Sequence, residues 1–289
     1  MDASAGTGNL IRDVSDTALW VAVYRAMESE RPDALFKDPF ARRLAGNRGQ
    51  DIVDSMPHGK KMAWAMVIRT AVMDELILRC IKEGARTVLN LAAGLDTRAY
   101  RLDLPGKLRW FHVDFPHMTG FMQEKLAGET PRCQLEYVAA DLREPEQREA
   151  LFRRAAEHGP VLVITEGLLV YLPPEQVASL AASLKETAEA VWWITDLATP
   201  LLLNRLDKLW AENLAKGNSP FLFAPDDSRT YFSEHGWREA EFRSTWTESL
   251  RLKRPIRYAG FWNLMMKLQP KARREADMRM SGIALLQPD

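Results

Sequence analysis

What this sequence lacks narrows the field before any motif is read. It has only two cysteines, Cys80 and Cys133, too far apart for a CxxC motif and too few for a disulfide framework. Both are therefore expected to be free thiols in a reducing compartment. No run approaches the ~18 unbroken apolar residues of a membrane span. Residues 1–16 are polar and acidic where a secretory leader is basic and then apolar, so a cytoplasmic protein is expected. Charge of neither sign prevails: 39 Lys and Arg face 39 Asp and Glu, so no net field recruits nucleic acid or an anionic membrane. The expected partner is a small molecule. Repeats and low-complexity segments are missing, and the five histidines show no metal-ligand spacing.

What remains is an ordinary globular composition, 46% hydrophobic and 27% charged over 289 residues, enough for one large α/β domain. Residues 1–84 read as helical: Ser15-Asp16 is a candidate cap, 36–39 a turn, and 58–83 a long amphipathic helix whose apolar stripe includes Met66, Val72, Met73, Leu76, Ile77 and Cys80. From 85 to 197 short apolar runs (87–91, 108–113, 134–139, 161–165, 191–195) alternate with helical stretches at 116–126, 145–157 and 174–189. Continuous rather than alternating apolar runs are the pattern of parallel strands covered on both faces. The fold class expected is a doubly wound, mostly parallel α/β sheet. Residues 198–289 read as an insertion near 198–235 that covers a site, followed by runs at 239–245 and 260–268 that complete seven strands as an antiparallel edge pair.

Each of the five central strands runs into an acidic residue: Asp96, Asp114, Asp141, Glu166 and Asp196. Ligands of open α/β sheets bind outside the carboxyl ends of the strands, so these side chains line one rim. The turn after the first strand (Asn90-Leu91-Ala92-Ala93-Gly94-Leu95-Asp96) is built of small residues, and Asp114 follows Gly94 by twenty residues, the place of a ribose-binding carboxylate. The strict GxGxxG of a dinucleotide site is absent, which points to adenosine without a pyrophosphate. Arg69 interrupts the apolar stripe of the long helix, where a buried guanidinium needs an anion, either an internal acid or a ligand carboxylate. S-adenosylmethionine offers an adenosine, a carboxylate and a cationic sulfonium suited to an acidic rim.

Four segments in this order resemble the leucine carboxyl methyltransferase family, and specifically its bacterial branch of class I O-methyltransferases: Val67-Ile68-Arg69-Thr70-Ala71-Val72-Met73-Asp74, Asn90-Leu91-Ala92-Ala93-Gly94-Leu95-Asp96-Thr97-Arg98, Asp141-Leu142, and Thr165-Glu166-Gly167-Leu168-Leu169-Val170-Tyr171-Leu172. The likeness covers about residues 15–200. It implies a Rossmann-like fold, S-adenosyl-L-methionine as cofactor, and a set of roles. Arg69 would hold the methionine carboxylate, with Ala92 and Gly94 lying against the cofactor and Asp114 on the ribose. Asp141 and Leu142 would frame the adenine, and Glu166 would sit near the amino group. Asn90 and Ala92 depart from the usual acidic and glycine residues of this loop.

The activity expected is O-methylation of a carboxyl or hydroxyl group on a small metabolite. The alternatives are a protein C-terminal carboxyl, a nicotinamide-dependent oxidoreductase and a non-catalytic cofactor-binding protein. A carboxylate acceptor is already ionised at neutral pH; a hydroxyl needs a base, for which His112, His117 and Tyr171 are nearest the rim, with Tyr171 as a candidate acceptor contact. Plainer readings stand beside these. Asp96 is expected to pair with Arg98 or cap a helix, Trp192, Trp193 and Trp262 to be core, and the basic runs 251–254 and 271–274 to be solvated.

Overall fold

A computed structural model describes residues 15–56, 59–205, 221–256 and 258–289. Alternation within the central strands explains the architecture. In β1 (Thr87–Leu91) Val88 faces one side of the sheet and Leu89 and Leu91 the other; β2 (Arg109–Asp114) repeats this with Trp110 against Phe111 and Val113. Both faces are thus apolar, and both need a layer of helices. The first face is covered by α1 (Ser15–Ser29), α2 (Ala41–Ser55), α3 (Gly59–Glu83) and, beyond the short α4 (Arg98–Arg101), by α5 (Pro116–Lys125). The second is covered by α6 (Pro145–Ala156) and α7 (Pro174–Glu186). Between them run β3 (Gln134–Ala139), β4 (Val161–Thr165) and β5 (Ala190–Ala198).

The sheet order is β3-β2-β1-β4-β5-β7-β6, and the first five strands are parallel. The chain leaves β5 through a helical stretch at 200–205 (α8) and, after residue 221, forms α9 (Ser228–Glu234), β6 (Trp237–Ser244) and α10 (Thr245–Arg251). It then adds α11 (Ala259–Lys267) and α12 (Lys271–Met278) before β7 (Ser281–Pro288) inserts antiparallel between β5 and β6. This is the expected doubly wound, seven-stranded sheet. Among the described residues no helix is long and apolar enough to cross a membrane. The side chains of the Ser15-Asp16 cap, and residues 206–220 of the expected insertion altogether, lie outside the described residues.

Three sequence expectations are corrected. Residues 260–268 fall largely in helix α11 rather than a strand: the stretch has no β-branched residue, and Leu264, Met265, Met266, Lys267 and Leu268 are good helix formers. The last strand is instead the apolar run of β7, with Ile283, Ala284, Leu285 and Leu286 buried. The run 251–254 is not simply solvated. Arg251 pairs with Glu75 and Glu248, and Arg254 reaches the buried Glu28 at 2.8 Å, pinning the C-terminal part to α1 and α3. Trp262 is half exposed and is not core, whereas Trp192 and Trp193 are buried as expected. Both cysteines are buried, and burial pushes each thiol up to about 12.

Gly282 permits the close pairing of β6 and β7, since a Cβ there would lie 2.6 Å from the Arg243 carbonyl oxygen. Gly282→Ala is expected to cost about 1–3 kcal/mol of stability, the usual range for overpacking. Urea unfolding checks this, and an unchanged midpoint would show that the strand edge yields freely.

Candidate active site

Strand order reverses on either side of β1, with β2 and β3 to one side and β4 and β5 to the other, and ligands of open α/β sheets bind at such a switch point. A cavity of about 930 Å³ opens there, at the carboxyl ends of the strands and beneath α1 and α3. Every expected site residue lines it: Arg69, Ala92, Gly94, Asp114, Asp141, Leu142, Glu166 and Tyr171.

The loop after β1 turns through two left-handed residues, Ala92 at φ 50° and Gly94 at φ 54°. Glycine adopts that region freely; alanine pays a steric cost of ~1–2 kcal/mol. Asp114 stitches the turn to the next strand: one carboxylate oxygen accepts from the Gly94 N–H at 2.6 Å and the other from the Phe115 N–H at 2.7 Å. Gly94 also backs onto α1, where an added Cβ would meet the Ala18 methyl at 3.3 Å. Asp141, at the end of β3, is held by Arg143, whose Nη2 lies 2.6 Å away. Phe115, Leu142 and Arg143 line the cavity beside it. Phe115, directly after Asp114, is an apolar surface that sequence reading passed over.

Arg69 is 13% exposed, and the acids it meets are internal: its Nε donates to Glu166 and its Nη1 to Asp196, both at 3.0 Å. It nonetheless faces the cavity, and among the described residues its Nη2 donates to nothing. One side of the guanidinium is thus tied to the sheet and another remains for a ligand. Gly167, at φ 67°, closes the turn below it and donates its N–H to Asp196 at 2.7 Å.

Sequence reading missed the hub of this arrangement. Arg98, 2% exposed, joins Asp74 at 2.6 Å, Asp96 at 2.7 Å and Glu166 at 2.6 Å. Arg101 also binds Asp74, and Arg25 binds Asp38 at 2.8 Å and the Leu95 carbonyl. The Asp96–Arg98 pairing was legible from their spacing; the partners from α3 and β4 were not, because only the fold brings them together. Burial disfavours the charged forms of Asp96 and Glu166, yet Arg98 outweighs it and, aided by Arg101 at Asp96 and by Arg69 at Glu166, holds both carboxyls below their usual range. Burial likewise opposes the Arg69 cation, and Glu166 and Asp196 more than compensate. The connected cluster sets Arg69, Arg98 and Arg101 against Asp74, Asp96, Glu166 and Asp196, one negative charge in excess, and Arg25–Asp38 is a separate balanced pair beside it. S-adenosylmethionine, with a sulfonium and an ammonium against one carboxylate, carries one net positive charge and fits this donor set.

The candidate bases fare differently. His112 is buried beneath the loop with its Nε2 3.2 Å from the Gly94 carbonyl, and burial lowers its pKa, so the ring is neutral. His117 stacks on Phe115 outside the cavity lining. Tyr171 lines the cavity in a 3₁₀ turn (Leu169–Tyr171), and burial raises its phenol pKa, which keeps it protonated as a donor. No histidine among the described residues lines the cavity.

Residues 18–185 match the family model described as leucine carboxyl methyltransferase. A protein of Parafrankia sp., named as an S-adenosyl-L-methionine-dependent methyltransferase, is 34% identical over 276 residues, 88% of this chain and 83% of its own length. A Streptomyces coelicolor protein named in the same way is 32% identical over 83% of this chain and 88% of its own. Among solved structures, a protein from Thermobifida fusca named as a methyltransferase aligns with a TM-score of 0.59 at 14% identity, covering 99% of this chain and 98% of that one. A DUF574 family protein from Streptomyces avermitilis aligns with a TM-score of 0.56 at 15% identity, covering 93% and 97%.

Removing the hub cation takes a partner from three acids: Asp74 keeps Arg101 and Glu166 keeps Arg69, while Asp96 loses its guanidinium. Arg98→Met is expected to destabilise the protein by about 3–5 kcal/mol in chemical unfolding. Because Asp96 and Glu166 titrate lower in the folded than in the unfolded chain, the folded state binds fewer protons between the two values, so their stabilisation is complete above about pH 5 and is lost as pH falls through and below 4. A wild-type urea midpoint that is flat from pH 6 to 3 would contradict this. Ala92→Gly relieves the left-handed alanine and is expected to add up to about 1 kcal/mol, read as a higher midpoint.

Proposed function

The chain belongs to the leucine carboxyl methyltransferase family, and from that premise we propose that it moves the methyl group of S-adenosyl-L-methionine onto a carboxylate oxygen of a small metabolite. When bound, the cofactor supplies a methyl on a sulfonium sulfur; the S–CH₃ bond breaks as the O–CH₃ bond forms, leaving a thioether and a methyl ester. The observation that carries the cofactor reading is the buried acid-rich cluster opening onto the cavity at the switch point of the sheet.

In this reading the Asp114 carboxylate accepts from the ribose hydroxyls while it keeps the loop closed. Ala92 and Gly94 let the backbone come near, and Asp141 and Leu142, with Phe115, bound the adenine. The free Nη2 of Arg69 takes the methionine carboxylate. Glu166, fixed between two guanidiniums, offers its remaining lone pairs to the amino group. The Tyr171 hydroxyl donates toward the acceptor and orients it. Holding an acceptor oxygen in line with the methyl is worth up to ~7–11 kcal/mol of the barrier, so no covalent step is required.

A carboxylate is favoured over a hydroxyl acceptor because it arrives ionised. Tyr171 is held protonated, no histidine among the described lining residues is available, and Glu166 and Asp196 are engaged by arginines. An acceptor with no proton to lose suits such a site.

Isothermal titration is expected to show binding of S-adenosyl-L-methionine, weakened at least about tenfold (~1.4 kcal/mol) by Asp114→Asn. No binding, or binding indifferent to Asp114, refutes the cofactor reading. For the acceptor, mild base is expected to release methanol from the product, as from an ester, and kcat/KM is expected to stay level from pH 6 to 9. A base-stable product, or a rate climbing with pH, points to a hydroxyl instead.

A further inference from the structure

Of the ten large hydrophobic side chains exposed among the described residues, six fall within one stretch of eleven: Tyr258, Phe261, Trp262, Leu264, Met265 and Leu268, from 43% to 72% exposed. Helix α11 buries only Ala259 of its own length. Residues three and four apart are neighbours on a helix, so the rows 258–261–265 and 261–264–268 run side by side as one apolar strip. Single exposed apolar side chains are ordinary, but a contiguous strip marks a surface that meets something apolar. Two of its members, Trp262 and Met265, also line the cavity while remaining about half exposed, so the strip reaches the cavity's opening.

Cations border the strip. Lys253 precedes it, Lys267 stands at its end, and Lys271, Arg273 and Arg274 follow in α12. Lys271 lies 3.8 Å from Glu275, and no ion pair among the described residues takes up the other four. From 258 to 280 five cations stand against two acids, so a chain that is balanced as a whole carries a local positive excess beside its apolar strip.

We propose that this face of α11 and α12 docks on an anionic lipid surface. Phe261, Leu264 and Leu268 enter the boundary between headgroups and acyl chains, Tyr258 and Trp262 sit at headgroup level, and the flanking lysines and arginines meet the phosphates. The attraction is local, acting within a Debye length, and needs no net charge on the whole protein. A second copy of the chain fits this face less well. Two-fold pairing of identical strips with cations at both ends sets like charges against each other. Because Trp262 and Met265 belong to the strip and to the cavity lining, docking brings the opening of the cavity to the lipid, and a molecule dissolved there enters without crossing water.

The test sediments the full chain with vesicles of phosphatidylcholine alone and of a two-to-one mixture of phosphatidylcholine and phosphatidylglycerol. Binding to the mixed vesicles is expected to be at least about fivefold tighter than to phosphatidylcholine, and to weaken at least about fivefold when salt is raised tenfold. The double variants Phe261→Gln with Leu264→Gln, and Lys267→Gln with Lys271→Gln, are each expected to weaken it fivefold or more. All four side chains are exposed and none lines the cavity, so both variants are expected to melt at the wild-type temperature. The proposal is overturned if the wild type ignores the mixed vesicles, binds both kinds equally, or is matched by the variants. It is equally overturned if analytical ultracentrifugation shows a dimer that the Phe261 and Leu264 changes abolish while vesicles capture nothing.

Discussion

Charge balance around one buried guanidinium organises this molecule. Arg98 is almost wholly shielded, and an unpaired cation in that position is untenable, so acids must converge on it from α3, from the loop after β1 and from the end of β4. Those three contributions are also the pieces that must be in register for a crevice to exist at the switch point. The same carboxylate that satisfies Arg98, Glu166, also satisfies Arg69, and through Asp196 the network reaches β5. Scaffold and site are therefore not separable: the interactions that fix the ends of the strands also set the potential that a ligand meets.

The loop after β1 shows the same coupling at the scale of one turn. Asp114 spends its best hydrogen bonds on the protein, closing the turn against β2, and so arrives at the cavity already oriented. The strained Ala92 persists because the stitches on either side of it over-determine its conformation.

Much of this was legible in the sequence. Continuous apolar runs ending in acids gave the parallel core and its rim, because a strand buried on both faces has no freedom in composition. Arg69 stood out because a guanidinium contradicts the stripe around it. Arg98 did not, although it matters as much, since its partners Asp74 and Glu166 are distant in the chain and only the packing of α3 on β4 and β5 makes them neighbours. The late elements were misjudged for another reason. The stretch 260–268 and β7 are both short and apolar, and periodicity alone does not distinguish a helix lying over a cavity from a strand inside a sheet. Trp262 was placed in the core because its hydrophobicity was visible and its exposure was not.

The cavity is assembled from two lengths of chain. The match to the family model ends at residue 185, while Trp246, Trp262, Met265, Met266 and Gln269, which line the same cavity, lie beyond it. The arginine–carboxylate network draws no member from the region between β6 and β7, so that region can reshape the cavity without touching the charges that hold the strand ends together.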